Sequence, residues 1–591
     1  MFLKRLYSEP IGLFPSVEFK DGVNFIFGKK DKESDKKDSL NGIGKSLLVD
    51  LIDFCLLSTL RPDQNPRLSK AKKFMEGHSI VLEFEIGGKD YLLKRNPTTP
   101  NKEIGFGVIG EEVKLYTDTE IKPVLADLMF LNENYSGEYS NRWLRKLVPF
   151  FIKKERPKKG GEFTDPVKYL ENGKPMELNI YHLFLMGIDN TLAYKNFDIQ
   201  ENLKEKQPLM NGVEKFVQET YGLENISTAH NEIDKIRRDI KGIETNIASF
   251  KLASEYEDAE ERANKLTLRI KDLWYKNYNS RKNIESYKAS YRQDVNINVN
   301  QIEKLYKEAS ELLAGQIKKT LNEAVKFRED LSNSRRKFLS KEIESINVEV
   351  KSNEGKITSL EEERAKVFSF LSAKAAISDL SEAYLSLSRR REALNELEGK
   401  VKIYLDVSKE KADLKSEEAK LVGEMITFLA DIQANKLPAF RDVFVEIYNS
   451  AYIENENQST FDISLKDRTD AKIDINVTFP ADLSKGKNRG RTLVYDLAIL
   501  FHAIKENIKA PRFLIHDGIF DGMYKGHFVH LYEYLEKRKI RDRFQYIITL
   551  NEEGELSENF GNTDRVTIER ISQEAIINLT PSSKLFGRSW N

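Results

Sequence analysis

The sequence predicts an α/β protein whose N- and C-terminal lobes come together and are joined by a long antiparallel coiled-coil hairpin. Three observations predict this. Asn41-Gly42-Ile43-Gly44-Lys45-Ser46 lies between the apolar run Val23–Phe27 and the apolar stretch Ser46–Leu57. Phe513-Leu514-Ile515-His516-Asp517, an uncharged run ending in a carboxylate, lies near the other end of the 591 residues. Between them, the segment from Pro208 to Pro438 has no internal proline and carries a seven-residue apolar rhythm. The first motif suits backbone wrapped around phosphates, and the second delivers a carboxylate toward a metal. Neither completes a site alone. The expected division is 1–200, 201–438 and 439–591.

Each element follows from local pattern. Val23–Phe27 reads as a buried strand, the charged run to Asp38 as a loop, and Ser46–Leu57 as a helix, the strand–loop–helix order a phosphate loop needs. Ser79–Phe84 and Lys89–Lys94 alternate around Gly87-Gly88, a hairpin signal. Residues from about 130 to 195 read as irregular. They include Arg142-Trp143-Leu144-Arg145 and a basic aromatic run from Phe150 to Lys159, which suits either phosphate and base contacts or a solvated loop.

The central segment carries the strongest periodicity. Ala229, Ile233, Ile236, Ile240, Ile243, Ile247 and Phe250 alternate spacings of four and three, and a shifted frame continues through Leu252, Tyr256, Ala259, Ala263, Leu266, Ile270 and Leu273. Ile343, Ile346, Val350, Ile357, Leu360, Val367 and Leu371 share one frame, with Asn353 and Arg364 as its polar members. A repeat of about 3.5 residues makes a narrow seam that needs a partner helix. Asn-rich residues 294–300 break the rhythm and place a reversal there, with an elbow expected near 369–376. After Pro438, Phe461–Leu465 and Ile473–Val477 alternate as strands, Leu493–Ile508 reads as a helix, Phe513–Ile515 as a strand, 525–538 as a helix and Phe544–Thr549 as a strand.

Composition bounds the rest. Lys+Arg and Asp+Glu are both 94, so the formal net charge is zero, and charged residues make up 32%. That balance suits solvated helices and argues against a globally basic nucleic-acid binder. One cysteine, Cys55, excludes an internal disulfide and a Cys-based zinc site. Met1–Arg5 is too polar for a secretory signal, and no apolar run reaches the roughly 18 residues of a membrane span, so a soluble cytoplasmic protein without membrane contact is expected.

The chemistry follows from residue type. Asn41 to Leu47 would hold phosphates by backbone N–H groups. Lys45 would reach the terminal phosphates, and Ser46 would hold Mg²⁺. Position 39 is Ser where the full pattern has Gly. Asp517 would meet the same magnesium ion. A Glu commonly follows such an Asp and polarises the attacking water. Here Gly518 follows, so hydrolysis is expected to be slow or to use another base, with His516 and Asp521 the nearby candidates. Leu483-Ser484-Lys485-Gly486 opens the later helix, where Ser484 and Gly486 suit either a γ-phosphate grip across a dimer face or an ordinary N-cap.

Together, NGIGKS, the coiled-coil hairpin, LSKG before LVYDLAIL, and FLIHD resemble the SMC-like branch of the ABC ATPases. RFLIHDGIFDGM, FQYIITLNEE and VKFREDLSNSRRKFLSKEIESI are similar to the ATPases of bacterial ABC three-component systems, including Lamassu-type antiviral operons. The likeness spans most of the chain and is densest over 490–551. It implies a split ABC-type ATPase head, with two heads sandwiching two ATP and Mg²⁺ as a homodimer. Lys45 and Ser46 of one copy would face Ser484 and Gly486 of the other. It also implies arms on double-stranded DNA ends or unusual structures, a small middle subunit and an effector nuclease. Such heads carry a switch His after the last core strand, where this chain has Leu550-Asn551. Alternatives of the same architecture are a repair or chromosome-maintenance clamp and a weakly hydrolysing scaffold stabilised by ATP.

Overall fold

Short apolar runs punctuated by glycine build the start of the chain as strands, with helices between. The computed structural model describes residues 1–30, 40–62, 64–154, 163, 165–170, 173–249, 257–293, 317–370, 376–452, 459–467, 471–479, 485–552 and 567–587. In chain order come β1 (Phe2–Glu9), β2 (Val17–Glu18), β3 (Gly22–Gly28), α1 (Lys45–Cys55), α2 (Pro66–Ala71), β4 (Ser79–Ile86), β5 (Lys89–Arg95), β6 (Ile104–Val108), β7 (Lys114–Tyr116), α3 (Asp118–Phe130), α4 (Leu144–Phe151), β8 (Ile152–Lys154) and α5 (Pro175–Leu185). Long helices follow: α6 (Thr191–Tyr221), α7 (Ile226–Ser249), α8 (Glu257–Gln293), α9 (Ile317–Phe370) and α10 (Ala376–Asn435). The chain then runs through α11 (Leu437–Ala451), β9 (Thr460–Asp467), β10 (Lys472–Thr478), α12 (Lys485–Lys505), β11 (Phe513–Asp517), α13 (Lys525–Arg538), β12 (Gln545–Asn551), α14 (Ile568–Glu574) and β13 (Ile577–Leu579). No helix among the described residues is long and apolar enough to cross a membrane.

The described chain divides into two units, Met1–Gln207 with Lys409–Asn591, and Pro208–Ser408. In the first unit a five-stranded sheet runs β13-β3-β12-β11-β8, and every neighbouring pair is parallel. The N-terminal strand β3 lies between two C-terminal strands, so the distant ends of the chain share one sheet. A six-stranded antiparallel sheet, β2-β1-β4-β5-β6-β7, belongs to the same unit. Gln545 stitches the two sheets together: its side-chain amide accepts from Leu3 N and donates to Leu3 O, each at 2.7 Å. The β4–β5 hairpin turns on Gly87 and Gly88 at φ +59° and +75°, the left-handed pair that a two-residue turn requires.

Residues 130–195, read from sequence as irregular, hold α4, β8, α5 and the start of α6. These elements are short, and two lysines occupy the strand. Phe150, Phe151, Ile152, Lys153 and Lys154 are all buried, so this part of the basic aromatic run is core and not a nucleic-acid surface. The remainder, 155–159, lies outside the described residues.

In the second unit the helices pair antiparallel. Arg262 meets Glu363 at 3.1 Å, Arg281 meets Glu354 at 2.7 Å and Arg335 meets Ser290 at 2.9 Å, so one number climbs as the other falls. Between α7 and α10, Arg237 pairs with Glu398 at 2.7 Å, Arg390 with Asp239, and Arg391 with Glu244. Arg390 and Arg391 are therefore engaged in cross-helix ion pairs. Ala229, Ile233, Ile236, Ile240, Ala263, Leu266, Ile270, Val350 and Ile357 are buried, as the seam pattern requires. The expected reversal at 294–300 and most of the expected elbow lie outside the described residues.

The polar seam residues are buried too. Asn353 donates to Asn277 Oδ1 at 3.0 Å, and Arg364 lies over the Tyr384 ring at 4.4 Å. A buried Asn pair fixes register at a cost in stability. Changing both to leucine is expected to be neutral or stabilising in a thermal melt, since both hydrogen-bonding partners disappear together. Register fidelity is expected to fall. Cysteines introduced by Arg281→Cys and Glu354→Cys then cross-link less completely in the leucine pair, and an equal yield would show that the asparagines do not set register. Cys55 stays silent in this assay, because burial pushes its thiol up to about 12.

Candidate functional site

A parallel sheet presents its ligand site at the carboxyl ends of its strands. Gly28, Lys154, Asp517 and Asn551 all stand at such ends, on β3, β8, β11 and β12. The register sets them beside one another: Gly28 faces Asn551, Asp517 faces Lys154 on one side and Thr549 on the other.

The loop expected to hold phosphates closes on glycines. Gly42 and Gly44 hold φ +81° and +114°, and Gly44 caps the N-terminus of α1. A Cβ on Gly44 would stand 2.4 Å from that of Leu585, whose N–H donates to Ile43 O at 3.0 Å. Asn41 lies in the turn. Ile43 and Leu47 are buried anchors, able to offer a ligand only backbone. The N–H groups of Lys45, Ser46 and Leu47 form the first turn, where no intrahelical acceptor exists, and the helix dipole adds positive potential.

Lys45 Nζ donates to Leu40 O at 2.9 Å and would touch a Cβ on Gly28 at 3.0 Å. Asn551 Oδ1 lies 2.8 Å from the same point, buried and without a hydrogen-bond partner among the described residues. Ser46 Oγ donates to Asp517 Oδ1 at 2.9 Å across 471 positions of sequence, and Thr549 Oγ1 donates to the same oxygen at 2.9 Å. Thr549 in turn accepts from Gly518 N at 3.0 Å. Burial raises the Asp517 pKa, opposed by Arg67 and by the hydrogen bonds from Ser46 and Thr549.

The donor set fits a magnesium-bound triphosphate. The N–H groups of the first turn and Lys45 suit phosphate oxygens, and the Ser46 hydroxyl beside an Asp517 carboxylate suits Mg²⁺, which takes few protein ligands and shares phosphate oxygens. No cluster of three or more His, Cys, Asp or Glu able to hold a metal alone exists among the described residues. The metal, when bound, would neutralise charge between the terminal phosphates.

Sequence reading missed a buried ionic network behind the loop. Asp50 and Asp53 follow Ser46 on one face of α1. Lys154 Nζ donates to Asp50 Oδ1 at 3.0 Å and Asp53 Oδ2 at 2.7 Å. Arg145 holds Asp53 Oδ1 at 2.9 Å and Leu56 O at 2.8 Å. Arg67 joins Asp50 Oδ2 at 2.9 Å and lies 3.5 Å from Asp517 Oδ2. Burial pushes the Asp53 carboxyl up, but Arg145 and Lys154 outweigh it and hold it below the usual carboxylate range. The readable signal was two aspartates inside an apolar helix, since buried charges demand partners.

The other candidates separate. His516 is fully buried on the far side of its strand from Asp517, between Asp496 and Tyr546, and is not brought to the pocket. Asp521 is exposed on the loop after β11, with Arg489 at 4.0 Å. Gly486 lies in the first turn of α12, and Ser484 lies outside the described residues.

Gly518 holds φ +88°, donates its N–H to Thr549 and accepts from Arg489. A side chain there costs about 1–2 kcal/mol. Gly518→Glu is therefore expected to lower the thermal midpoint without accelerating phosphate release. Faster release would show that a missing carboxylate limits turnover.

Lys45 gives the pocket a pH dependence. Burial lowers its pKa to about 8, against the pull of Asp517 and Asp521. Phosphate favours the charged form, so ATP affinity is expected to be full below about 8 and to fall by up to about tenfold per pH unit above it, until the pKa of the bound lysine is passed. Fluorescence titrations with ATP between pH 7 and 9.5 read this directly, and a flat profile would remove Lys45 from the phosphate contacts.

Residues 444–590 match the sequence model of a family described as "Uncharacterised protein conserved in bacteria (DUF2326)". No curated protein matches the chain. Among solved structures, the Smc head domain with a coiled coil and joint from Pyrococcus yayanosii aligns at 14% identity and TM-score 0.32, covering 93% of this chain and 92% of that one. The Smc head domain with an extended coiled coil bound to the C-terminal domain of ScpA, from Pyrococcus furiosus, aligns at 12% identity and TM-score 0.31, covering 98% and 93%. At those scores the superpositions carry no argument, and function rests on the pocket.

Proposed function

We propose that this chain is an SMC-type ATPase that binds ATP with Mg²⁺ at the carboxyl ends of β3, β11 and β12, pairs with a second copy through its heads, and controls an associated effector. The observation that carries this reading is the Ser46–Asp517 hydrogen bond beside Lys45, which joins a phosphate loop to a metal-facing carboxylate from the opposite end of the chain. Asn551, its Oδ1 aimed at the region of Lys45, would sense the terminal phosphate or an attacking water. Ser484 and Gly486 would reach the partner's nucleotide. Double-stranded DNA as the signal, a small middle subunit, a nuclease effector and an antiphage role rest on the sequence resemblance.

Gly518 favours a second reading, in which ATP is held and hardly hydrolysed and serves as a structural tie. Its φ of +88° puts any side chain at that position, a carboxylate included, under strain. Calorimetric titration of ATP with and without Mg²⁺, followed by phosphate release with and without DNA ends, tests both. Absence of Mg²⁺-dependent ATP binding ends both readings. Binding with DNA-stimulated release selects the first, and binding with no release selects the second.

A further inference from the structure

Four polar side chains behind the pocket are each 0% exposed: Lys153 on β8, Asp496 on α12, His516 on β11 and Tyr546 on β12. Lys153 Nζ donates to Asp496 Oδ1 at 2.6 Å, and His516 Nε2 lies 2.9 Å from Asp496 Oδ2. The Tyr546 hydroxyl lies 3.0 Å from His516 Nδ1. Because Asp496 accepts on both oxygens, the network assigns the imidazole proton to Nε2 and makes Nδ1 the acceptor for Tyr546. Lys153 is caged as well, with Pro166 O at 3.4 Å and the Phe150 ring at 4.9 Å.

Such a set is not the cheapest filling for a core. Apolar side chains of similar size are often neutral or stabilising in place of a buried ion pair. What the ions add is directional: two short contacts on one carboxylate fix a helix in rotation and in height. The placement gives that fixity a use. Lys153 and His516 are register partners, and the next pair along is Lys154 and Asp517. Asp496 lies on the helix whose first turn holds Gly486, about 15 Å further along its axis.

We propose that Asp496, held by Lys153 and His516, is a positioning residue that sets α12 against the metal-facing strand, so that its N-terminal turn meets a second copy's nucleotide in one alignment with Asp517. This rests on the head-pairing reading above. It assigns His516 to alignment, away from water handling.

The test uses two variants of the full chain. Lys153→Met/Asp496→Leu/His516→Phe/Tyr546→Phe removes all four polar groups together. Asp496→Asn keeps the shape and weakens the clamp. Three quantities are read: thermal midpoint, ATP·Mg²⁺ affinity at low protein concentration, and ATP-dependent self-association by sedimentation. The four-fold variant is expected to keep its thermal midpoint and to bind ATP within about twofold of the unmodified chain, while its self-association weakens by about tenfold or more. Asp496→Asn is expected to shift association the same way, with a lower thermal midpoint. Association at the unmodified strength in either folded variant overturns the proposal. If the unmodified chain binds no ATP, the pocket reading fails first. If it binds ATP and stays monomeric, head pairing fails and this inference falls with it.

Discussion

Lys154→Met is expected to cost the fold about 3–5 kcal/mol, the range for removing one partner from a buried ion pair. That is a large part of the roughly 5–15 kcal/mol that holds a typical domain. Lys154 is 5% exposed at its side chain and bridges Asp50 and Asp53, themselves 3% and 7% exposed. Burial alone would lower its pKa, but Asp53 and Asp50 more than reverse this and raise it. Methionine keeps the stem and removes the charge, so Asp50 is left with Arg67 and Asp53 with Arg145, both at the edge of the cluster. Arg145→Met is expected to cost less, because at 24% exposure water can replace part of what the arginine gave. The deficit depends on pH with a definite sign. The folded Asp53 pKa lies below its unfolded value, so its contribution is present above the unfolded carboxylate pKa and fades as pH falls through the folded one. Urea unfolding at pH 7 is expected to show the full loss, and unfolding near pH 3 a smaller one. Equal midpoints for Lys154→Met and the unmodified chain at pH 7 would show that the cluster does not hold α1 against β8.

The parts of this molecule that were legible in sequence are those where one stretch contains its own reason. The Ala229–Ile240 and Ala263–Ile270 seams repeat every three or four residues and are buried as the repeat requires. Gly87-Gly88 needs no distant partner to make its turn. Lys45, Ser46 and Asp517 stood out because phosphate and metal chemistry would ask for those residue types, and the structure brings Ser46 to Asp517. What stayed hidden depends on register between remote segments. Asn353 was readable as a polar seam residue, but Asn277 became its partner only through the pairing of α8 with α9. Thr549 reaches Asp517 because β12 lies beside β11 with those two residues opposite. Lys153 and Lys154 look like a solvated basic run until Asp496 and the α1 aspartates close on them. A lysine pair on a three-residue strand carries no local signal for burial, and its partners lie about 100 and 340 positions away.

Lys45→Ala is expected to weaken ATP binding by roughly 10- to 100-fold, the worth of a charge-assisted hydrogen bond at about 1.5–3 kcal/mol. The apo fold should lose little. Lys45 Nζ has Leu40 O as its hydrogen-bond partner, and burial already lowers its pKa to about 8, so the charge sits there at a cost until phosphate arrives. Alanine at the first position of α1 also suits a helix. A thermal midpoint equal to or above that of the unmodified chain, together with the affinity loss, therefore separates a ligand contact from a structural one. The pH profile separates them again: the decline in affinity above about pH 8 should vanish with the lysine. Ser46→Ala provides the contrast. It removes the hydroxyl that donates to Asp517 Oδ1 but leaves Lys45 in place, so it should abolish the Mg²⁺-dependent part of the affinity and keep the decline above pH 8. If Lys45→Ala binds ATP as the unmodified chain does, the glycine turn of residues 41–44 is a turn and no more. The Ser46–Asp517 contact would then be a hydrogen bond that closes a sheet, with no metal to share.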